Sequence, residues 1–207
     1  GSLENRMRFM DMVMKEVMEA AGDDIAVLVK TNTRDGFKGG MEVDDCIKVA
    51  KRLQELGAHC LVLSGGFVSK APMYVMKGRM PMRTLWGYMP WKSLWWLKIG
   101  IALAGKLLIK NEPFQEAFFY DDAIKFREAL DMPLAFVAGF DFIQMARPLV
   151  YDPEFVNKLR DGKVTKSGCQ HANYCVARIW NYDMQCHEHC QVARFQKKEL
   201  ERNIRKG

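Results

Sequence analysis

Two short, uninterrupted apolar runs constrain this chain more than any other feature. They are Ile25-Ala26-Val27-Leu28-Val29 and Cys60-Leu61-Val62-Leu63, and each follows an amphipathic helical stripe. In the first stripe Met10, Val13, Met14, Val17 and Ala21 repeat at i, i+3, i+4, i+7 and i+11. In the second, Val43, Cys46, Ile47, Ala50 and Leu53 repeat at i, i+3, i+4, i+7 and i+10. A strand that is apolar at every position, not at alternate ones, is expected to be covered on both faces. Gly22-Asp23-Asp24 ends the first helix, and Gly57 caps the second. A helix over 121–130, strands over 133–137 and 142–145, a short helix over 153–160 and a terminal helix over 192–206 complete the pattern. The alternation predicts the α/β class with parallel strands.

Ligands in such sheets bind at the carboxyl ends of the strands. Here those ends are 30–32, 64–66, 139 and 146–147, all polar, glycine-bearing or basic. One junction departs from the pattern. Only Gly139 and Phe140 separate the strands at 133–138 and 141–146, whereas a parallel crossover takes a dozen residues or more. Either this pair is an antiparallel hairpin, or a helix that belongs between the strands is missing.

The composition of the 207 residues, 49% apolar and 27% charged, is that of an ordinary globular protein, and one domain over 1–207 is expected. The formal charge is +6, and the tail 194–207 holds six basic and two acidic residues. No zinc-finger, RNP or basic-zipper pattern accompanies it, so nucleic-acid binding is not expected. The most apolar stretch, 94–109, is interrupted by Lys98 and Lys106 and falls short of the roughly 20 residues that cross a bilayer. The polar start reads as no signal peptide, and six cysteines are too few for a disulfide scaffold. A cytoplasmic location is the resulting expectation.

Four motifs then occur in one order. They are Gly1-Ser2-Leu3-Glu4-Asn5-Arg6-Met7-Arg8-Phe9; Val29-Lys30-Thr31-Asn32 with Asp35 and Gly39-Gly40; Leu63-Ser64-Gly65-Gly66; and Met145-Ala146-Arg147-Pro148-Leu149 with Asp152-Pro153. Together they resemble the old yellow enzyme, or NADH:flavin oxidoreductase, family. The resemblance implies the C-terminal half of a (β/α)8 TIM barrel that begins at the family's fourth helix. The first four strands, which carry most flavin contacts and the active-site residues, are expected upstream, so no catalytic residue is assigned here. The short link at 139–140 falls where the family has its seventh helix.

The implied cofactor is FMN, with NAD(P)H as reductant and an activated alkene or similar small molecule as acceptor. Lys30 matches the position that supplies a cation to the flavin's pyrimidine edge, where negative charge gathers on reduction. Ser64 and Gly65 match the backbone that approaches the flavin. Gly139, Ala146 and Arg147 match the phosphate site, although Phe140 stands where the pattern has a second small residue. A half-barrel leaves two sheet edges open, which either a homo-oligomer or an unusual strand arrangement is expected to satisfy. Two other readings stand beside the enzyme: a non-catalytic half-barrel fragment, and a metal-binding interaction module.

The last reading rests on the segment 165–207, where Cys169, Cys175, Cys186 and Cys190 gather with His171, His187 and His189. Some members of the family bind an iron–sulfur cluster through Cys-x-x-Cys-(Asn)-x-x-Cys and a distant fourth cysteine. Here Ala172 replaces the second cysteine, leaving Cys169, Cys175 and Cys186 as candidate ligands. A cluster wants four thiolates and is not expected from three. The spacings Cys-x5-Cys and Cys-x3-Cys make no paired zinc knuckle, and free reduced thiols are the remaining reading. The excursion over 67–112 holds Trp86, Trp91, Trp95 and Trp96. By resemblance it lies near the barrel mouth, where buried packing is expected in an intact barrel. Contact with an apolar substrate, a partner or a membrane interface are the alternatives.

Overall fold

The computed structural model describes residues 1–67, 69–70, 74, 76–88, 95–96, 99–100, 113–115, 117–136, 140–179, 183–190 and 194–205. They fall into two compact units, Gly1–Val75 with Glu116–Gln144, and Met76–Gln115 with Met145–Gly207.

The first unit is an α/β layer. Four strands, β1 (Leu28–Asn32), β2 (Cys60–Ser64), β3 (Leu134–Phe136) and β4 (Phe142–Ile143), lie side by side in chain order. Every pairing is parallel. Helices α1 (Leu3–Ala21), α2 (Val43–Glu55) and α4 (Tyr120–Ala129) belong to the same unit. Strand side chains alternate, so Leu61, Leu63, Leu134 and Phe136 share one face and pack with Met14, Ala50, Leu53 and Phe126 from the helices. Ser2 caps α1, its hydroxyl accepting the Asn5 N–H at 3.3 Å. Arg52 of α2 reaches Asp11 of α1 through Nε and Nη2, at 3.1 and 3.0 Å.

The strand expected over 25–29 lies three residues later, and its cover is one-sided. His59 Nδ1 accepts the Val27 N–H at 2.9 Å, and ladder pairing begins at Leu28 opposite Cys60. Ile25 precedes the strand and is exposed, and Leu28 is 56% exposed. β1 is an edge strand, and the core helices pack on one face only. β2, in the middle, meets the expectation, with Cys60, Leu61 and Leu63 all buried.

The junction between the last two strands is settled by the register. Ala135 lies opposite Phe142 and Phe136 opposite Ile143, in parallel. So short a link suffices because β4 has two residues, and the chain returns only a few ångströms before pairing. Asp141 braces the return. Its Oδ2 accepts the Leu134 N–H at 2.9 Å and an Arg127 N–H at 2.6 Å. Those bonds, the backbone one first, hold its carboxyl below the usual range despite some desolvation.

The second unit is helical among its described residues: α3 (Met82–Tyr88), α5 (Arg147–Tyr151), α6 (Phe155–Arg160), α7 (Tyr174–Arg178) and α8 (Arg194–Ile204). Leu85 of α3 packs on Ala177 of α7, and Tyr174 packs with Ala172 and Leu200. The Glu199 carboxylate of α8 accepts the N–H groups of Arg83 and Thr84, both at 3.0 Å. It thereby satisfies first-turn donors of α3 that have no partner within that helix. In the tryptophan-rich excursion Trp95 and Trp96 are exposed, buried packing having been the expectation for an intact barrel alone. Trp91 and the side chain of Trp86 lie outside the described residues.

Gly65 follows β2, and a Cβ built there would collide with the ring of buried Phe119. Gly65→Ala is therefore expected to lower unfolding stability by about 1–3 kcal/mol through overpacking. Chemical denaturation of the two proteins measures it, and unchanged stability would show that the ring moves aside freely.

Candidate functional site

The carboxyl ends of β1 and β2 are tied together by a polar network. The Asn32 side-chain amide donates to the Gly66 carbonyl at 3.0 Å and to Asp35 Oδ1 at 3.2 Å. Asp35 Oδ2 accepts the Met41 N–H at 2.8 Å, closing the turn, and the Gly66 N–H returns to the Arg34 carbonyl at 2.8 Å. Arg34 grips Asp122 of α4 with Nε and Nη2, both at 2.6 Å. That bidentate bond, ahead of the opposing desolvation, raises the affinity of the guanidinium for its proton. The sequence motif contained Asn32 and Asp35 but gave them no role. Asp122 was legible only as a helix residue, because its partner lies 88 positions away.

Lys30 sits in the middle of β1 instead of after it, on the exposed side of the strand. Among the described residues its ammonium has no ion-pair or hydrogen-bond partner. It lines a cavity of about 380 Å³ along the open edge of β1. Arg6, Met7, Met10, Asn32 and Cys46 line the same cavity. Two cations, the Asp35 carboxylate, an amide and several thioether or aliphatic walls suit a ligand with both polar and apolar parts better than a fully polar one. Ser64 pairs with Asn32 across the ladder and is half-buried, and Gly65 is buried under Phe119. The packing of Phe119 gives Gly65 a structural reason of its own. Gly139 lies outside the described residues. Cys46, almost wholly buried, has its thiol pushed up from 9.0 to about 12, first by desolvation and then by Asp35 and Asp45. It is a neutral wall residue at physiological pH.

Ala146 and Arg147 belong to the second unit. Ala146 precedes α5, and Arg147 is its first residue. The Arg147 guanidinium donates to the Met76 carbonyl at 3.4 Å and lies 6.0 Å from the centre of the Phe114 ring, which stacks on His171 at 4.0 Å. Arg147 also lines a cavity of about 20 Å³ whose other walls include Cys169, Ala172, Cys175 and Cys186. Cys169, Cys175 and Cys186, the three candidate ligands, line this one small space. No group of three or more His, Cys, Asp or Glu side chains stands in ligating geometry among the described residues. A four-thiolate cluster does not fit this donor set, because Ala172, buried, forms the fourth wall. All six cysteines are free, and burial is the largest cause raising the Cys175 and Cys186 thiols. His187 Nδ1 lies 3.7 Å from the Cys186 sulfur, and desolvation lowers its affinity for a proton.

No protein-family model matches the chain. Three curated proteins resemble it, two of them redox enzymes by name. The 4,4'-dithiodibutanoate disulfide reductase of Rhodococcus erythropolis is 31% identical over 195 residues, covering 87% of this chain and 47% of that protein. The NADH oxidase of Thermoanaerobacter brockii is 24% identical over 163 residues, 79% of this chain and 22% of its own length. A probable N-methylproline demethylase of Rhizobium meliloti (strain 1021) is 26% identical over 182 residues, 87% and 24% respectively. The chain therefore spans about half the length of the first of these and about a quarter of the others. Among solved structures, 2-naphthoyl-CoA reductase in complex with 2-naphthoyl-CoA superposes with a TM-score of 0.62 at 17% identity. That match covers 97% of this chain and 28% of the other, and it speaks to the fold alone.

The Cys46 thiol gives the first unit a signature at high pH. Its affinity for a proton is higher in the folded state, so the stability it contributes is fully present below pH 9 and is lost as pH rises from 9 toward about 12. Cys46→Ala is expected to flatten that alkaline decline. Denaturant midpoints taken from pH 8 to 11 measure it, and parallel declines in both proteins would refute the assignment.

Proposed function

We propose that this chain is the C-terminal part of a flavin-dependent NAD(P)H oxidoreductase of old yellow enzyme type, its four parallel strands being half of a (β/α)8 barrel. The observation that carries this reading is Lys30, an unpaired cation on the exposed face of an edge strand beside a cavity of about 380 Å³. Similarity to a disulfide reductase and to an NADH oxidase supports the redox class. FMN, when bound, supplies the hydride relay between NAD(P)H and a small-molecule acceptor.

What the chain's own residues do follows from their chemistry. Lys30 places a fixed positive charge where the ring's pyrimidine edge becomes negative, and so favours the reduced cofactor. Its ladder partner Val62, with the pairs Leu28–Cys60 and Asn32–Ser64 on either side, holds it on a paired strand, so little reorganisation accompanies the charge change. Ser64 and the Gly65 backbone stand at the adjacent strand end. In the second unit, Arg147 is the residue suited to a phosphate dianion, since a guanidinium binds such oxygens in pairs. The acceptor is a small molecule, and the setting is cytoplasmic.

Fluorescence titration of the purified chain with FMN and, separately, riboflavin tests both assignments. Saturable FMN binding is expected, weakened at least tenfold (about 1.4 kcal/mol) by Lys30→Ala. Arg147→Ala is expected to weaken FMN and leave riboflavin unchanged. Absence of saturation up to about 1 mM flavin, or an unaltered Lys30→Ala protein, would overturn the flavin reading of this chain.

A further inference from the structure

Three thiols line one small space in the second unit, and a strained turn brings two of them there. Cys169, Cys175 and Cys186 share the walls of the cavity of about 20 Å³, which has room for one water-sized guest. Between Cys169 and Cys175 the backbone turns left-handed twice, at His171 (φ 52°) and at Asn173 (φ 54°). Residues with a side chain rarely adopt that conformation, and it persists only where the surroundings enforce it. Asn173, 2% exposed, supplies the enforcement. Its Nδ2 donates to the carbonyls of Lys77 and Arg79 at 2.7 and 3.2 Å. Its Oδ1 is buried with no hydrogen-bond partner among the described residues. Strain of this kind gathers at functional sites, and here it sets two sulfurs on one wall.

The sulfurs are electrostatic neighbours. Burial is the first cause raising the Cys175 and Cys186 thiols, and behind it a charge on Cys169 raises both. Cys169 is half-buried and lies between exposed Gly168 and Gln170, so a small oxidant reaches it from solvent. Cys175 is half-buried in the first turn of α7. Cys186 is buried, its sulfur 3.7 Å from His187 Nδ1. A thiol that is oxidised beside a second thiol goes on to a disulfide, because condensation with the neighbour outruns further oxidation.

We propose that Cys169 and Cys175 form a reversible thiol–disulfide pair, with a hydroperoxide as the oxidant. The Cys169 sulfur attacks the hydroperoxide, whose O–O bond breaks, leaving a sulfenic acid on Cys169 and releasing an alcohol, or water from hydrogen peroxide. The Cys175 sulfur then displaces the hydroxyl group. The S–S bond forms, the S–O bond breaks, and the Cys175 proton leaves with the hydroxyl as water. Two thiols are thereby oxidised by two electrons, and one peroxide is reduced. A small-molecule thiol reverses the change by exchange and leaves as its own disulfide. This assignment does not rest on the flavin reading.

The full chain, reduced and then freed of reductant without air, is treated with hydrogen peroxide, and its thiols are counted in denaturant. The count is expected to fall from six to four. The intact mass is expected to drop by two hydrogens, and peptide mapping without reductant to link Cys169 to Cys175. Dithiothreitol restores the starting count. Cys169→Ser and Cys175→Ser should each lose the link and Cys186→Ser should keep it, all three with the circular dichroism of the parent. Where a variant fails to fold, the mapped link in the parent protein decides. A count that stays at six, oxidation of Cys169 that stops short of a disulfide, or a link to Cys186, to Cys190 or between two chains would each overturn the proposal. So would bound zinc that shields the thiols from peroxide, which would make the cavity a metal site instead.

Discussion

The loop between β1 and α2 holds the ends of two strands in place, and the first unit's chemistry depends on it. Arg34 is bound through two nitrogens to Asp122, while Asn32 bridges to the Gly66 carbonyl across the strand ends. Polar groups at the ends of parallel strands have no ladder partners beyond the last pair, and each unmet one costs about 1–3 kcal/mol when buried. Asn32, Arg34 and Asp35 meet that demand within a few residues. The same bonds fix the positions of Lys30 and Ser64 relative to each other, because register on one strand is transmitted to the next. Thr33, wholly buried with its hydroxyl unpartnered, is the one gap in this network that the described residues show.

A second constraint is the incomplete cover of the sheet at its edge strands. Helices α1, α2 and α4 bury the face of Leu61, Leu63, Leu134 and Phe136. Leu28 and Lys30 on the other face of β1 stay exposed, as do both residues of β4 at the far edge. In a parallel sheet both faces are ordinarily covered. The open edge of β1 is also where the cavity of about 380 Å³ lies. Cavity, exposed lysine and exposed strand are thus three views of the same physical situation: an edge whose hydrogen-bonding and apolar groups await cover.

In the second unit a single residue decides what the cysteines are. Cys169, Cys175 and Cys186 line one small cavity, and Ala172 closes it where a fourth thiol would stand. Burial favours the neutral thiol at Cys175 and Cys186, which behave as packing groups with weak polarity. Arg147 shares that wall and leans on Phe114, which gives it a packing role beside any anion it binds.

Much of this was legible from the order of residues. The helix stripe at 43, 46, 47, 50 and 53 returned as α2, and the run at 60–63 returned as the buried strand β2, because local periodicity and continuous apolarity act within a few residues. Three things were decided only by tertiary structure. Pairing with Cys60 set where β1 begins, so Lys30 came to lie within the strand. A two-residue β4 made a parallel return feasible across a link too short for a helix. Phe119, 54 positions further along the chain, occupied the space that makes Gly65 necessary. Sequence fixes what a segment prefers through its own side chains, whereas register, edge position and close packing depend on which distant surface arrives to meet it.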